Sequence, residues 1–258
     1  MDPVAEFAAV AAAPEPRLDR ALALVAATGR PSVDPAALVD RLDLLAGDRA
    51  GDDAAGVCRV LFVDGGFTGN RDDYYDPANS LLDRVLDRRT GIPITLSALA
   101  MEVARRRGVG LVGVGMPGHF LLREAADGDA FYDAFDGGRP LDVAGCRRLF
   151  HRLHGPATPF DDAYLAPTAP LDIVVRVLNN LRAAHLRRGD RAGLTHVLRL
   201  QAVLPGSGVG ERRQLAGVLS AEGRFVEAAR LYDELVDEDP GRAADHRAAA
   251  ARNRARLN

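Results

Sequence analysis

The sequence has no lysine and no tryptophan, and all 33 of its basic residues are arginine. Without a lysine amine, Schiff-base chemistry, a Walker-type phosphate loop and a kinase-type site are excluded. Cysteine occurs only at Cys58 and Cys146, in no CxxC spacing, so neither a disulfide framework nor a thiolate zinc site is expected. No run approaches the roughly 18 consecutive apolar residues of a membrane span. The start Met1-Asp2-Pro3-Val4-Ala5-Glu6 has no basic residue before Arg17, and the alanine-rich run at 8–13 is short and crowded by Pro14 and Pro16. That is the wrong pattern for a secretory signal. Basic and acidic residues nearly balance, 33 against 36, and are spread along the chain, so no clustered basic face for nucleic acid is expected. These features lead us to expect a cytoplasmic protein with no nucleic-acid or membrane partner.

The 258 residues are 47% hydrophobic and 27% charged, enough apolar material for one large domain or two modest ones. The first ninety residues carry helix signals. Leu18, Leu22, Leu24 and Val25 form a short amphipathic pattern ending at Gly29, and Asp34-Pro35 opens a helix through Leu38, Leu42 and Leu45. Another helix is expected over Ala54 to Phe62, and Asp76-Pro77 starts one over Asn79–Leu86. Between them, Phe67 to Asp76 reads as a solvated, capped loop whose carboxylate spacing does not fit a calcium loop. Pro93 opens a helix with a buried stripe of Leu96, Leu99, Ala100, Val103 and Ala104, closed by Gly108. Three strand-like runs follow, Leu111–Gly115, His119–Glu124 and Ala130–Phe135. Asp136-Gly137-Gly138 then turns into Arg139–Leu141, and Asp142 caps a helix.

Pro156, Pro159, Pro167 and Pro170 mark a boundary, beyond which everything is helical. Here an internal repeat appears: Gly189 and Gly223 are 34 residues apart, and Pro205 and Pro240 are 35 apart. The second copy, around Leu219–Tyr232, resembles a tetratricopeptide unit, about 34 residues forming a helix pair. With two copies the tail is expected to lean on the preceding domain. Its inner faces should be Leu178, Leu181, Leu198, Leu215, Leu219, Ala228 and Leu231.

His119 and Asp133 share strand parity, and a five-residue loop, Glu124–Gly128, would set them directly opposite on one face of the sheet. An imidazole held by a carboxylate is the orienting half of a nucleophilic triad; the same pair also serves as an ordinary structural hydrogen bond. Thr95 and Ser97, in the first turns of the Pro93 helix near N–H groups suited to an anion, are candidate nucleophiles, or simply cap and pack. Cys58 and Cys146 lie on apolar helix faces and are expected to pack as small buried groups. The other histidines lie on helices without an HExxH arrangement, so no metal site is expected. The glycine pairs at 65–66 and 137–138 are turns rather than phosphate loops, and no cofactor is expected.

Five motifs occur in order: Phe67-Thr68-Gly69-Asn70, Tyr75-Asp76-Pro77-Ala78-Asn79-Ser80, Arg89-Thr90-Gly91-Ile92-Pro93-Ile94-Thr95-Leu96-Ser97, Pro117-Gly118-His119-Phe120-Leu121 and Asp133-Ala134-Phe135-Asp136-Gly137-Gly138. With the helical repeat tail, they resemble the bacterial SirB-type proteins over nearly the whole chain. The resemblance implies an α+β fold: a papain- or transglutaminase-like core at 1–155 (helices on a small antiparallel sheet), a proline-rich linker at 156–170 and an all-α tetratricopeptide-like tail at 171–258. It also implies a nucleophile at the start of the central helix, followed by histidine and acid on successive strands. His119 matches the histidine and Asp133 the acid, in a motif that reads Asp133-Ala134-Phe135 where relatives commonly carry proline in the middle. Active transglutaminase-like enzymes place cysteine near Pro93–Thr95. This sequence has none there, and SirB-type proteins generally look Cys-less at this point.

The function expected from this reading is that of a non-transglutaminase member of the fold. It would bind a peptide or small molecule in a His119/Asp133 cleft and a protein partner through its repeats. Within the shared motifs, Asn79, Ser80, Arg89, Pro117 and Gly118 are the ligand-binding candidates. The alternative is an amide hydrolase or acyl transferase using His119 as base, Asp133 as orienter, and a hydroxyl (Thr95 or Ser97) or a water as nucleophile.

Overall fold

Three of the four Asp-Pro dipeptides start helical segments with a side-chain cap, because the aspartate side chain caps a free N–H and the proline needs none. Asp2 accepts from Val4 N, Asp34 from Ala36 N and Asp76 from Ala78 N, at 2.9–3.0 Å. The computed structural model describes residues 2–47, 51–125 and 129–257. The first of these caps opens α1 (Pro3–Ala11), a helix the sequence reading had not assigned. It is followed by α2 (Leu18–Ala27), α3 (Pro35–Leu45) and α4 (Ala54–Cys58). The helix expected to run to Phe62 changes at Arg59 into a π-helical turn, Arg59–Asp64. Gly65 N donates to Val60 O at 2.7 Å, and a Cβ at Gly65 would sit 2.7 Å from the Leu61 carbonyl, so only glycine closes this wide turn.

The short strand β1 (Thr68–Gly69) pairs in parallel with β2 (Thr90–Gly91). The helix expected over Asn79–Leu86 is instead a 3₁₀ turn, Pro77–Ser80, then α5 (Leu82–Arg88). The break arises because the Asn79 carbonyl accepts the Thr95 hydroxyl at 2.6 Å rather than serving the helix ladder.

The central helix, α6 (Pro93–Arg106), carries the anticipated stripe, and Ile94, Thr95, Ser97 and Ala98 are buried as well. A helix buried on every side packs against partners all round. It contacts α2, α3, α4, α5 and a four-stranded antiparallel sheet. The sheet order is β3 (Leu111–Val114), β4 (Leu121–Glu124), β5 (Phe131–Asp133), β6 (Arg139–Leu141). Successive residues face opposite sides. Leu122 and Tyr132 join the α6 core, while Leu121 and Phe131 join Cys146, Leu149 and Phe150 of α7 (Val143–His154).

The 156–170 stretch, read as a linker, is bound to the sheet. Thr168 N donates to Gly113 O at 2.8 Å, Gly115 N donates to the Thr168 hydroxyl at 2.9 Å, and Leu165 is buried with Cys146 and Phe150. Helices α8 (Pro170–Arg188), α9 (Arg191–Ala202), α10 (Val209–Ala221), α11 (Phe225–Glu238) and α12 (Ala243–Ala255) follow, each packed on the next. Ile173, Val174, Val177, Leu178 and Leu181 of α8 belong to the same cluster as α6. Leu194, Leu198, Leu215, Leu219 and Ala228 form a second cluster, with Leu231 half-buried against it. Gly189 and Gly223, with φ of 64° and 78°, sit at the turns between α8 and α9 and between α10 and α11. No helix among the described residues is long and apolar enough to cross a membrane.

Candidate functional site

His119 stands at the end of a turn rather than inside a strand. Pro117 and Gly118 are its central residues, and His119 N donates to Met116 O at 3.0 Å. Proline supplies the φ near −65° of the second turn position, and glycine the left-handed third, at φ 73°. Three further bonds hold the turn. The Arg176 guanidinium of α8 donates to the His119 and Met116 carbonyls at 2.6 and 3.2 Å, and His154 Nε2 lies 3.0 Å from Pro117 O. Burial lowers the Arg176 pKa.

Asp133 ends β5. Its Oδ1 accepts from His119 Nε2 at 2.9 Å and from Phe135 N and Asp136 N at 3.1 and 3.3 Å. The two residues are not directly opposite. The observed register pairs Leu122 with Tyr132 and Arg123 with Phe131, so the β4–β5 alignment is shifted by two residues from the expected one. A shift of two preserves the face, and the His119 side chain reaches diagonally to Asp133. Of the expected Glu124–Gly128 loop, residues 126–128 lie outside the described residues.

The pair lines an open cleft of about 490 Å³. Pro93 at the start of α6 forms one wall; Gly118, Phe135, Asp136 and Arg139 form others, together with Leu149, Arg152 and Leu153 of α7. Arg71 and Tyr74 come from the loop after β1. That loop is shaped by amides: Asn70 Nδ2 donates to Asn79 Oδ1 at 3.0 Å, Asp73 N donates to Asn70 Oδ1 at 2.9 Å, and Asn79 Nδ2 donates to the Asp73 and Tyr74 carbonyls. Gly69 lies against the Phe135 ring, where a Cβ would be 2.4 Å from Cδ2. The motifs at 67–70 and 75–80 therefore stand behind the lining and shape the wall.

Of the candidate residues, the structure brings His119, Asp133 and Gly118 to the cleft; Pro117, the other central residue of the turn, is outside its lining and bonds His154. Thr95 and Ser97 are turned into the core: the Thr95 hydroxyl bonds Asn79 O and accepts from Ile92 N, and Ser97 is fully buried. Asn79 and Ser80 are buried supports. Arg89 lies on a different face, beside Leu44, Leu45 and Gly65. Arg71, Tyr74, Arg139, Arg152 and Arg176, which the sequence reading did not single out, come from separate segments; two of them lie in the stretch read as a solvated loop. Both thiols are buried and pushed up to about 12, Cys58 by desolvation and Cys146 by desolvation and then by Asp142 and Asp133. Among the described residues no group of three or more His, Cys, Asp or Glu is placed to hold a metal.

Gly118→Ala is expected to destabilise the protein by about 1–2 kcal/mol, because an L-residue resists the left-handed region. Its Cβ would also lie 2.9 Å from His154 Nε2. Thermal melting with the His119 ring resonances reads both effects; an unchanged melting temperature and unchanged ring signals would refute this role for the turn.

A sheet covered by α6 on one face and α7 on the other, with a His–Asp pair before the start of the buried helix, defines an α+β, transglutaminase-like domain with a helical tail. Residues 20–179 match the Transglutaminase-like superfamily, and the chain belongs to it. It is similar to a UPF0162 protein of Xylella fastidiosa (strain 9a5c), 46% identical over 144 residues, covering 54% of this chain and 51% of that protein. A UPF0162 protein of Pseudomonas aeruginosa is 38% identical over 184 residues, 68% of this chain and 67% of that protein. F-box only protein 21 of Mus musculus is 46% identical over 99 residues, 35% of this chain and 16% of that protein. The chain thus spans about half the length of the Xylella relative.

Proposed function

We propose that this protein is a non-transglutaminase, SirB-type member of its superfamily that binds a peptide or small molecule in the His119/Asp133 cleft. The observation that supports this most is the composition of the cleft: none of its described lining residues is cysteine, serine or threonine, so a histidine–carboxylate pair faces ligand space without a side-chain nucleophile of those types. The tail, with its repeated glycine turns and helix pairs, is read as tetratricopeptide-like and as the docking surface for a protein partner. A specific observation also favours the hydrolase or acyl-transferase alternative. Asp133 engages Nε2 of His119 and leaves Nδ1 as the ring nitrogen able to exchange a proton with a bound water.

The test is a titration of the ¹⁵N-labelled full chain with an equimolar mixture of N-acetylated tetrapeptide amides, followed by mass spectrometry of the recovered peptides. The expected outcome is chemical-shift change confined to the cleft, with every peptide intact. Hydrolysis or acyl-transfer products that vanish in His119→Ala would replace the binding reading with the enzymatic one. No change at the cleft would overturn both.

A further inference from the structure

The cleft has more positive than negative groups, and they come from three separate parts of the fold. Arg71 lies after β1, Arg139 on β6 and Arg152 in the last turn of α7. Two carboxylates share the lining. Asp133 is 2% exposed, and its Oδ1 already accepts from His119 and two backbone N–H groups, so it is spent on the interior. Asp136 is shared: its Oδ1 lies 3.0 Å from Arg71 and its Oδ2 3.4 Å from Arg139. Arg152 has no carboxylate partner among the described residues, although its neighbours Arg147 and Arg148 on the same helix reach Asp162 and Asp142. Three guanidinium groups therefore share the lining with two carboxylates, a formal surplus of one positive charge, and among the described residues Arg152 is the one of the three with no carboxylate partner.

Beside this charge the wall is apolar. Leu149 and Leu153 lie within one turn of Arg152 on α7, and Leu153 is 47% exposed. Phe135, Tyr74 and Pro93 line the cleft as well, with the Arg71 guanidinium 4.9 Å from the Phe135 ring centroid. A guanidinium fork matches a planar carboxylate through two parallel N–H···O bonds. A formal surplus of one charge suits a monoanion better than a phosphate dianion, and Arg71 and Arg139 already have a carboxylate partner in Asp136.

We propose that the ligand of this cleft is an acidic peptide, its side-chain carboxylate held by Arg152 and an adjoining apolar side chain laid against Leu149 and Leu153. This rests on the peptide-binding reading above and adds the ligand's chemical class.

The test uses the ¹⁵N-labelled full chain at low ionic strength with three probes: acetyl-Ala-Glu-Leu-Ala-amide, its Gln counterpart and its phosphoserine counterpart. Cleft amides and arginine Nε–Hε signals report binding. The Glu peptide is expected to bind roughly tenfold more tightly than the Gln peptide, the scale of one charged hydrogen-bonded contact. That advantage should disappear in Arg152→Gln and be partly kept in Arg152→Lys, with binding of the Gln peptide unchanged in both. Arg152 is exposed, so both variants should melt as the parent does. Equal cleft binding of the Glu and Gln peptides would overturn this inference and leave the binding reading standing. Tighter binding of the phosphoserine peptide than of the Glu peptide would overturn it in favour of a phosphate ligand. Cleft signals unmoved by all three probes would overturn the binding reading and this inference with it.

Discussion

A chain ended at residue 169 is expected to lose cooperative unfolding, whereas one ended at residue 204 keeps it with a lower melting temperature. Ile173, Val174, Val177, Leu178 and Leu181 of α8 lie in the central cluster, each at most 1% exposed. Burying one such side chain stabilises by about 1.5–3 kcal/mol, so the five contribute on the order of 10 kcal/mol. That is comparable to the whole stability of a domain, about 5–15 kcal/mol. The shorter cut also removes Arg176 from the His119 turn and Arg188 from its contacts with Asp73 and the Tyr75 carbonyl. Both cleft walls would lose an anchor. The longer chain retains Val197, Leu200 and Leu204 in the central cluster and mainly uncovers Leu194 and Leu198, which otherwise meet Leu215, Leu219 and Ala228. Circular-dichroism melting in the near and far ultraviolet distinguishes the cases. A cooperative, parent-like transition in the chain ended at 169 would show the helical tail to be separable.

Replacing Asp19 by alanine is expected to cost about 3 kcal/mol, as breaking a buried ion pair leaves its partner uncompensated. The Asp19 side chain is fully buried in α2 and receives Arg17, Arg105 and Arg106 side chains and the Arg20 amide. Arg106, itself 9% exposed, also bonds Glu102, so the cluster joins α2 to the C-terminal end of α6, the helix whose other end lines the cleft. Burial alone would raise the Asp19 pKa, but the hydrogen bonds from Arg17 and Arg106 outweigh it and hold the carboxyl below its ordinary value. A folded-state pKa below the unfolded one contributes stability that is complete above the unfolded value, near pH ~4, and is lost as pH falls through the folded value. Asp19→Asn should therefore be less stable than the parent at neutral pH, and the gap should narrow below about pH 4. Arg17→Ala, which removes a half-exposed partner, should cost less than about 1 kcal/mol. Denaturant titrations at pH 7 and pH 3 measure both; a gap independent of pH would refute the charge-based account.

Much of the fold was legible because local chemistry dictated it. The Asp-Pro pairs start helices wherever they were read, the spacing of Leu96, Leu99 and Val103 marked the central helix, and Gly137-Gly138 turned the chain into β6. Asp2-Pro3 carries the same cap and opens α1, but that alanine-rich helix, with Glu6 its one charged residue, has too little polar contrast to display a helical period. The candidate pair was legible for a specific reason. Period-2 alternation assigns His119 and Asp133 to one face, and that assignment survives an error of two residues in register.

By itself, then, the sequence determined the caps, the turns, the apolar stripes and the shared face of His119 and Asp133, all of which depend on neighbours a few residues away. Tertiary structure alone decided which polar groups face the cleft. Thr95 turns inward because the Asn79 carbonyl is there to meet it, and Arg89 emerges on another face. Arg71, Arg139 and Arg152 converge on the cleft from separate segments, and Arg176 reaches the His119 turn from α8. Periodicity states which side of an element is apolar; which distant element covers that side is settled only when the elements pack, and with it what each exposed arginine finds beside it.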